Sequence, residues 1–158
     1  MSRAILMCGP AGSGKSTVAR TLELEGYERL SVDTLAWERG YRRHPLPEAV
    51  AESIRAEIKG RLVELVREGA DVVVDLSFWS RRSRDDYRDL LAPLGVVAEV
   101  WYLATPREVV LARMAARDNT DPDSLVLPDG TAAAYFDDFE VPTLEEGPLR
   151  IIEWSRER

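Results

Sequence analysis

The chain has 158 residues with 21 basic and 28 acidic side chains, a net charge of −7, and only two lysines, Lys15 and Lys59. This length suits a single domain over residues 1–158, and the acidic balance disfavours broad binding to nucleic acid or anionic membranes. No apolar run approaches the roughly 20 residues of a membrane span, and Met1-Ser2-Arg3 opens no signal-peptide pattern, so we expect a cytoplasmic protein without membrane association.

The N-terminal part alternates short apolar runs with amphipathic stretches, which is typical of parallel strands joined by crossover helices. Residues 4–8 are wholly apolar and predict a first strand that meets a glycine-rich turn. A helix is predicted from about Gly14 to Gly26. Residues 29–32 predict a second strand that ends at Asp33.

The middle of the chain contains the clearest helical pattern. Residues 47–66 begin with Pro47, carry an apolar residue at every fourth position and precede Gly69, so they predict a long helix. A third strand is predicted at 71–75. Ser80 is expected to cap the next helix, and residues 96–103 predict a fourth strand.

The C-terminal part predicts one more capped helix and a polar loop. Thr105 and Glu108 have the spacing of a capping box, with Pro106 at the first helical position, so a helix is expected through Arg117. Residues 118–130 predict a mobile loop, and 149–152 a last strand. The whole pattern predicts an α/β fold, a three-layer sandwich with a five-stranded, mostly parallel sheet and a small lid at about 106–130.

Residues 9–16 fit the motif G-x-x-x-x-G-K-S between a predicted strand and a predicted helix. Its glycines let backbone N–H groups turn around a phosphate, and the helix N-terminus favours negative charge. Lys15 can bridge the β- and γ-phosphates of a nucleotide, and Ser16 can hold Mg²⁺. A structural turn would explain the glycines but not the Lys15-Ser16 pair. The predicted nucleotide-binding residues here are Gly9, Pro10, Ala11, Gly12, Ser13, Gly14, Lys15, Ser16 and Thr17.

Several classes of phosphate-loop protein are excluded by missing residues. A regulatory GTPase needs an N-K-x-D segment and a glutamine that orients water, but Asn119 is the only asparagine and the chain has no glutamine. An AAA-type motor needs Asp-Glu at the end of its Walker B strand, whereas Asp75 is followed by Leu76. A small kinase remains.

A kinase acting on a hydroxyl needs a carboxylate base, a carboxylate that organises Mg²⁺, and arginines over the transferred phosphoryl group. Asp33 and Asp75 follow two predicted strands, whose carboxyl ends form the ligand-binding edge of a parallel sheet. They are the candidate base and metal residue, although each could be an ordinary strand-end turn. Arg113 and Arg117, four residues apart, are expected to bind the nucleotide, with Lys15, Asp33 and Arg117 as the catalytic residues.

Other side chains near these positions have two interpretations. The arginines at 81, 82 and 84 are expected to form a solvated helix start, because Asp85 and Asp86 follow them. His44 and Cys8, each the only residue of its type, are expected to have no chemical role. Four aromatic residues could line an acceptor pocket or simply pack: Trp37, Tyr41, Phe78 and Trp79.

The phosphate loop, Ser31-Val32-Asp33, the V-V-V-D at 72–75, the R-M-A-A-R at 113–117 and the segment 135–142 together resemble the small P-loop kinases. That group includes the kinase domain of polynucleotide kinases, chloramphenicol phosphotransferase and zeta toxins. The resemblance implies that Asp33 is the general base, that Arg117 contacts the donor phosphates and that Asp75 lies near the metal. Polynucleotide kinases carry an arginine shortly after the base aspartate. This chain has Thr34-Leu35-Ala36-Trp37 there, although three nearby arginines could substitute: Arg39, Arg42 and Arg43.

These observations predict a kinase that transfers the γ-phosphoryl group of ATP, with Mg²⁺, to a hydroxyl of a small molecule such as an antibiotic, nucleoside or sugar. Two alternatives remain open. The acceptor could be the 5′-hydroxyl of a polynucleotide, or the protein could be a nucleotide-binding regulatory module without transfer activity. The sequence decides neither the acceptor nor the oligomeric state.

Overall fold

The computed structural model describes residues 2–156, and this part of the chain contains five strands and six α-helices. The strands are β1 (Ala4–Cys8), β2 (Glu28–Ser31), β3 (Val72–Asp75), β4 (Glu99–Ala104) and β5 (Leu149–Glu153). The helices are α1 (Lys15–Leu24), α2 (Val32–Glu38), α3 (Glu48–Arg67), α4 (Arg81–Leu91), α5 (Arg107–Ala115) and α6 (Thr131–Asp137). Within residues 2–156 no helix combines the length and the apolar character needed to cross a membrane.

The strands form one sheet in the order β2-β3-β1-β4-β5, and every pairing is parallel. The predicted five-stranded α/β sheet is therefore confirmed. Strands β1 and β3 are completely buried, as expected for central strands covered on both faces. Because the strands are parallel, the loops that follow β1, β2 and β3 all leave the same edge of the sheet.

Helices cover both faces of the sheet and complete three layers. On one face α3 packs its apolar stripe against alternate residues of β1, such as Leu6, together with α4. On the other face α1 packs Ala19 and Leu22 against Ile5 and Met7. This alternation along β1 follows from the two-residue period of a strand. The buried stripe of α3 is Ile54, Ile58, Leu62 and Val66.

The segment after β2 differs from its prediction. The strand ends at Ser31 and α2 begins at Val32, so Asp33 lies in the first turn of a helix and not in a loop. Ser31 is the N-cap residue, since its side chain accepts a hydrogen bond from the Thr34 N–H at 3.2 Å. The helix start fixes the backbone that carries Asp33.

The predicted capping box at Thr105 is wrong. The Thr105 hydroxyl donates instead to the Ser13 carbonyl at 2.7 Å, which ties the end of β4 to the phosphate loop. Helix α5 begins at Arg107 without a side-chain cap and ends at Ala115, so Arg117 lies beyond it. A capping box forms further along, between Thr143 and Glu146.

The predicted solvated arginine cluster is wrong for Arg84. Its side chain is fully buried, whereas the side chains at 81 and 82 are exposed. Arg84 Nε donates to Glu146 at 2.8 Å, and Arg84 Nη1 donates to the Phe78 carbonyl at 2.7 Å. A charged group remains buried only when it is paired and hydrogen-bonded, and these partners meet that condition. Arg84 is thus a structural residue of the loop between β3 and α4.

Candidate active site

The loop between β1 and α1 has the backbone of a phosphate cradle. Gly12 and Gly14 have φ angles of +88° and +105°, which residues with a Cβ rarely adopt. A Cβ on Gly12 would also lie 3.0 Å from the Val110 carbonyl oxygen of α5. The first N–H groups of α1 have no intrahelical acceptor, and no side chain caps them. This helix start can therefore bind an anion.

Two side chains of the loop are available for a nucleotide. The Ser13 hydroxyl is buried and has no hydrogen-bond partner among residues 2–156. Lys15 Nζ donates to the Pro10 carbonyl at 3.3 Å. Burial lowers the pKa of the Lys15 ammonium below its ordinary value, although Asp75 and Asp33 oppose that effect. A bound phosphate would favour the charged form of Lys15.

The predicted site residues come together around one cavity of about 1330 Å³. Its wall contains the phosphate loop from Pro10 onwards, together with Asp33, Asp75, Arg113 and Arg117. Gly9 is buried behind the loop, where its N–H donates to the Ser77 carbonyl at 3.0 Å. Residues from the phosphate loop, α2, β3 and α5 thus meet at the carboxyl edge of the sheet.

Asp33 forms a hydrogen bond that the sequence did not predict. One of its carboxylate oxygens lies 2.9 Å from Nε2 of His44, and both side chains are partly buried in the cavity wall. Burial alone would raise the pKa of Asp33, but the His44 hydrogen bond and the charges of Lys15 and Arg117 outweigh it, so the pKa lies below its ordinary value. The carboxyl is therefore ionised at neutral pH.

Asp75 forms a buried ion pair with Arg29, which the sequence also did not predict. Arg29 Nη2 lies 2.6 Å from Asp75 Oδ2, with Arg29 Nε 3.1 Å from the same oxygen. The Ser16 hydroxyl donates to this oxygen at 3.4 Å. Asp75 is only 6% exposed. The predicted metal pair, Ser16 and Asp75, is thus adjacent, but one carboxylate oxygen already binds a guanidinium.

The two predicted arginines both line the cavity, although they do not share one helical face as expected. Arg113 Nη1 donates to the Gly12 carbonyl of the phosphate loop at 3.2 Å. Arg117 Nη1 donates to the Leu125 carbonyl at 3.0 Å. Burial lowers the pKa of Arg117 from its ordinary value, and Asp33 opposes this effect. Both cations are held at backbone carbonyls beside the nucleotide cradle.

The polar segment after Arg117 is held to the rest of the protein by ion pairs and backbone hydrogen bonds. Asp123 lies 2.9 Å from Arg29 and 3.0 Å from Arg20. The N–H of His44 donates to the Val126 carbonyl at 3.0 Å, next to a parallel bridge between residues 43 and 126. The segment predicted as a lid therefore contacts the residues that hold both Asp33 and Asp75.

Two of the four aromatic candidates line the cavity. Phe78 and Trp79 lie in its wall, but Trp37 does not, and Arg42 stacks over the Trp37 ring at 3.7 Å. Tyr41 packs against the core. None of the three arginines that could have held an acceptor phosphate, at 39, 42 and 43, lines the cavity.

This fold and this site define a P-loop kinase-like protein. The family model described as an AAA domain matches residues 5–142, and the chain belongs to that family. The chain nevertheless has Leu76 after the strand-end Asp75, where AAA motors have glutamate. The predicted resemblance to small P-loop kinases is confirmed by this match and by the kinases among the similar structures.

Three relatives illustrate the similarity. The UPF0200 protein PAE1629 of Pyrobaculum aerophilum is 32% identical over 127 residues, which cover 77% of this chain and 70% of that protein. A gluconokinase from Sinorhizobium meliloti 1021 superposes with a TM-score of 0.64 at 24% identity, covering 96% of this chain and 82% of that chain. A chain of the Pnkp1/Rnl/Hen1 RNA repair complex gives a TM-score of 0.75 at 18% identity, over 87% of this chain but only 43% of that chain. At these identities the two structures support the fold alone.

Proposed function

We propose that the protein is a kinase that transfers the γ-phosphoryl group of ATP to a hydroxyl of a small molecule. One observation carries the proposal. The ionised carboxylate of Asp33 shares a single cavity with the phosphate-loop Lys15 and with Arg117. A general base must lie within reach of the hydroxyl whose proton it accepts, and charge on the phosphoryl oxygens must be balanced nearby.

In the proposed reaction, the acceptor oxygen attacks the γ-phosphorus and forms the new P–O bond. The bond between that phosphorus and the β,γ-bridging oxygen breaks, and ADP leaves with its electron pair. The hydroxyl proton passes to Asp33, whose other oxygen is held by His44. Lys15 and Arg117 neutralise the phosphoryl oxygens. Positioning and electrostatics supply most of the rate enhancement in this mechanism.

Mg²⁺ fits the residues present. A hydroxyl and a carboxylate are oxygen ligands of the type Mg²⁺ prefers, and those of Ser16 and Asp75 are adjacent. Among residues 2–156 no group of three or more His, Cys, Asp or Glu side chains forms a metal cage, so the ion would enter with the nucleotide. When bound, it neutralises charge on the transferred phosphoryl group.

The cavity wall favours a small acceptor over a polynucleotide. It contains seven aspartates and six lysines or arginines, a balance that differs from the basic groove expected of a nucleic-acid site. A 5′-hydroxyl polynucleotide kinase would need excess positive charge along the path to Asp33. A regulatory module without transfer activity would not need the Asp33 carboxylate to face the phosphate loop.

The proposal is tested by incubating the protein with γ-labelled ATP, Mg²⁺ and a panel of nucleosides, oligonucleotides, sugars, sugar acids and hydroxylated antibiotics. Mass spectrometry of the products should detect one phosphorylated small molecule. The Lys15→Ala variant, which lacks the phosphate-loop cation, should give no product. Transfer only to oligonucleotides would favour the polynucleotide alternative, and ATP binding without any transfer would favour the regulatory one.

A further inference from the structure

Both lysines of the chain line the same cavity. Lys15 belongs to the phosphate loop, whereas Lys59 lies on α3. One stripe of α3 is buried in the core, and the next stripe around the helix lies along the cavity at four-residue spacing: Ala51, Arg55 and Lys59. The helix therefore presents two cations, one turn apart, to the space in front of the sheet edge.

Lys59 has no anionic partner in the described part of the chain, and its ammonium faces the Tyr87 ring. Within residues 2–156 it forms no ion pair or hydrogen bond, and its Nζ lies 5.5 Å from the centroid of the Tyr87 ring. Arg55 differs, because it pairs with Glu48 at 3.2 Å on the exposed surface. Asp86, an exposed acidic residue on α4, also lines the cavity but forms no ion pair with Lys59.

Tyr87 carries an unused hydrogen-bonding group on the ring that Lys59 Nζ faces, and the charges that act on its hydroxyl are those of Arg55 and Asp86. The residue is only 4% exposed, and its buried hydroxyl has no partner in the described part of the chain. Its ring is fixed edge-on against Phe78, with centroids 4.9 Å apart. Burial raises the pKa of Tyr87 to about 12, so the hydroxyl remains protonated and can donate. Buried hydroxyls are normally hydrogen-bonded, so this one lacks a partner that a ligand would supply.

We propose that Lys59 and Tyr87 form an acceptor subsite for one anionic oxygen group, a carboxylate or phosphate, on the molecule whose hydroxyl reaches Asp33. The inference rests on the proposed function and adds a substrate class to it, a hydroxylated molecule that carries one anionic group. An ammonium and a hydroxyl both donate, and an anionic oxygen is the acceptor that suits both.

The surroundings of the subsite limit the ligand to a small one. Trp79 lies in the same cavity wall with 53% of its surface exposed, which offers a ring face to the apolar part of the acceptor. Asp86 adds a negative charge nearby, so a second anionic group on the ligand would be repelled. A ligand with one anionic group fits this balance better than a polyanion does.

The test uses matched pairs of anionic and neutral acceptors. The pairs are D-gluconate with D-glucitol, D-glycerate with glycerol, and a nucleoside 5′-monophosphate with its nucleoside. Binding is measured by calorimetry with Mg²⁺ and a non-hydrolysable ATP analogue, and transfer is measured in parallel with ATP. In at least one pair the anionic member should bind at least about tenfold more tightly than the neutral one, as expected for hydrogen bonds to a charged group.

Three variants connect that preference to the subsite. Lys59→Met and Tyr87→Phe should each reduce the ratio of the anionic member's affinity to the neutral member's affinity towards one. Tyr87→Phe retains the ring contact with Phe78. Arg61→Met is the matched control, because Arg61 is an exposed cation of the same helix that does not line the cavity. It removes the same charge and should retain the preference.

Three results would each overturn the subsite. They are equal binding of both members in every pair, a preference for the anionic member that survives in Lys59→Met, and no binding of any anionic probe. Failure of the proposed function has a different signature. If the anionic member binds beside the ATP analogue through Lys59 but no phosphoryl group is transferred, the subsite is supported and the kinase activity is not.

Discussion

Asp33 and His44 show at the scale of single residues what the sequence did and did not reveal. Asp33 could be selected because it follows a strand and belongs to a motif. His44 carries no such signal, since it lies 11 positions further on, in a segment without regular spacing. Only the path of the chain after α2 brings its ring to the Asp33 carboxylate. The same is true of Arg29 and Asp75, which are 46 positions apart.

Asp33→Asn should retain ATP binding and reduce phosphoryl transfer by at least about 100-fold, because the amide cannot accept the hydroxyl proton. Nucleotide binding is measured by calorimetry and turnover by release of labelled product. Asp138→Asn is a suitable control, since Asp138 is an exposed aspartate of the same cavity wall. Unchanged turnover in Asp33→Asn would remove this residue from the mechanism.

His44→Ala should move the acidic limb of the kcat–pH profile to higher pH. The hydrogen bond from His44 helps to hold the pKa of Asp33 below its ordinary value, so its loss raises that pKa. The base is active only when ionised, and a higher pKa means that activity is lost at a higher pH. His44→Gln, which can still donate to Asp33, should restore part of the shift. An unchanged profile in both variants would show that His44 does not act on Asp33.

At the scale of elements, the connection from β3 to α4 depends on one buried ion pair. Phe78 has a φ angle of +50°, an uncommon conformation for a residue with a side chain. Its carbonyl accepts from Arg84, which in turn pairs with Glu146 on a 3₁₀ helix (Leu144–Glu146) far along the chain. Arg84 was expected at the surface because the charged residues around it dominate the local pattern. Arg84 is buried instead because it pairs with Glu146, which lies 62 positions further along the chain.

Glu146→Gln should destabilise the protein and reduce the loss of folding free energy that the protein undergoes at low pH. Burial alone would raise the pKa of Glu146, but the hydrogen bonds from Arg84 and the Thr143 N–H outweigh it and lower the pKa from 4.5 to about 2. The ionised pair therefore stabilises the fold at pH values above the ordinary pKa of Glu146. This stabilisation is lost as the pH falls towards 2. A shift of this size corresponds to about 3 kcal/mol.

Urea unfolding at several pH values between 7 and 3 measures this effect. The free energy of unfolding of Glu146→Gln should be lower by about 3 kcal/mol or more at pH 7, because Arg84 remains buried without its charged partner. Its dependence on pH below 5 should be weaker than in the wild type. The matched control is Glu145→Gln, since Glu145 forms only an exposed ion pair with Arg81 and should change little. Equal effects of the two substitutions would contradict the assignment.

At the scale of the whole molecule, the segment after α5 joins both halves of the candidate site. Its Asp123 binds Arg29, which also holds Asp75, and its Val126 pairs with the backbone beside His44. The sequence indicated a lid here from its polar composition. The contacts link this segment to the candidate base Asp33, through His44, and to the candidate metal residue Asp75, through Arg29.

Asp123→Asn should loosen this segment. The substitution keeps the size of the side chain but removes the charge that faces Arg29 and Arg20. Hydrogen exchange of the amides at 118–127 should become about tenfold faster, which corresponds to the loss of about 1.4 kcal/mol of local stability. Mass spectrometry of the exchanged peptides measures the change. In Asp129→Asn, an exposed aspartate of the same segment, exchange should match the wild type. No difference between the two variants would show that the Asp123 ion pairs do not hold the lid.

The sequence alone determined the local features of this protein. The five strands, the longer helices, the parallel sheet and the phosphate loop follow from apolar periodicity, capping residues and glycine positions, all of which act over a few neighbouring residues. The short helices α2 and α6 were not predicted. Lys15 could be identified because the loop motif surrounds it. The capping box predicted at Thr105 was misjudged because a hydroxyl can cap a helix or bind elsewhere, as Thr105 does.

Only the tertiary structure decided which distant side chains meet. His44 at Asp33, Arg29 at Asp75 and Lys59 beside Tyr87 all depend on how helices and loops from separate parts of the chain pack at one sheet edge. Contacts of this kind are set by burial and charge compensation in three dimensions, and they leave no spacing in the sequence. The loop motif therefore identified Lys15 from the sequence, while the role we propose for Lys59 depends on the position of α3 along the cavity.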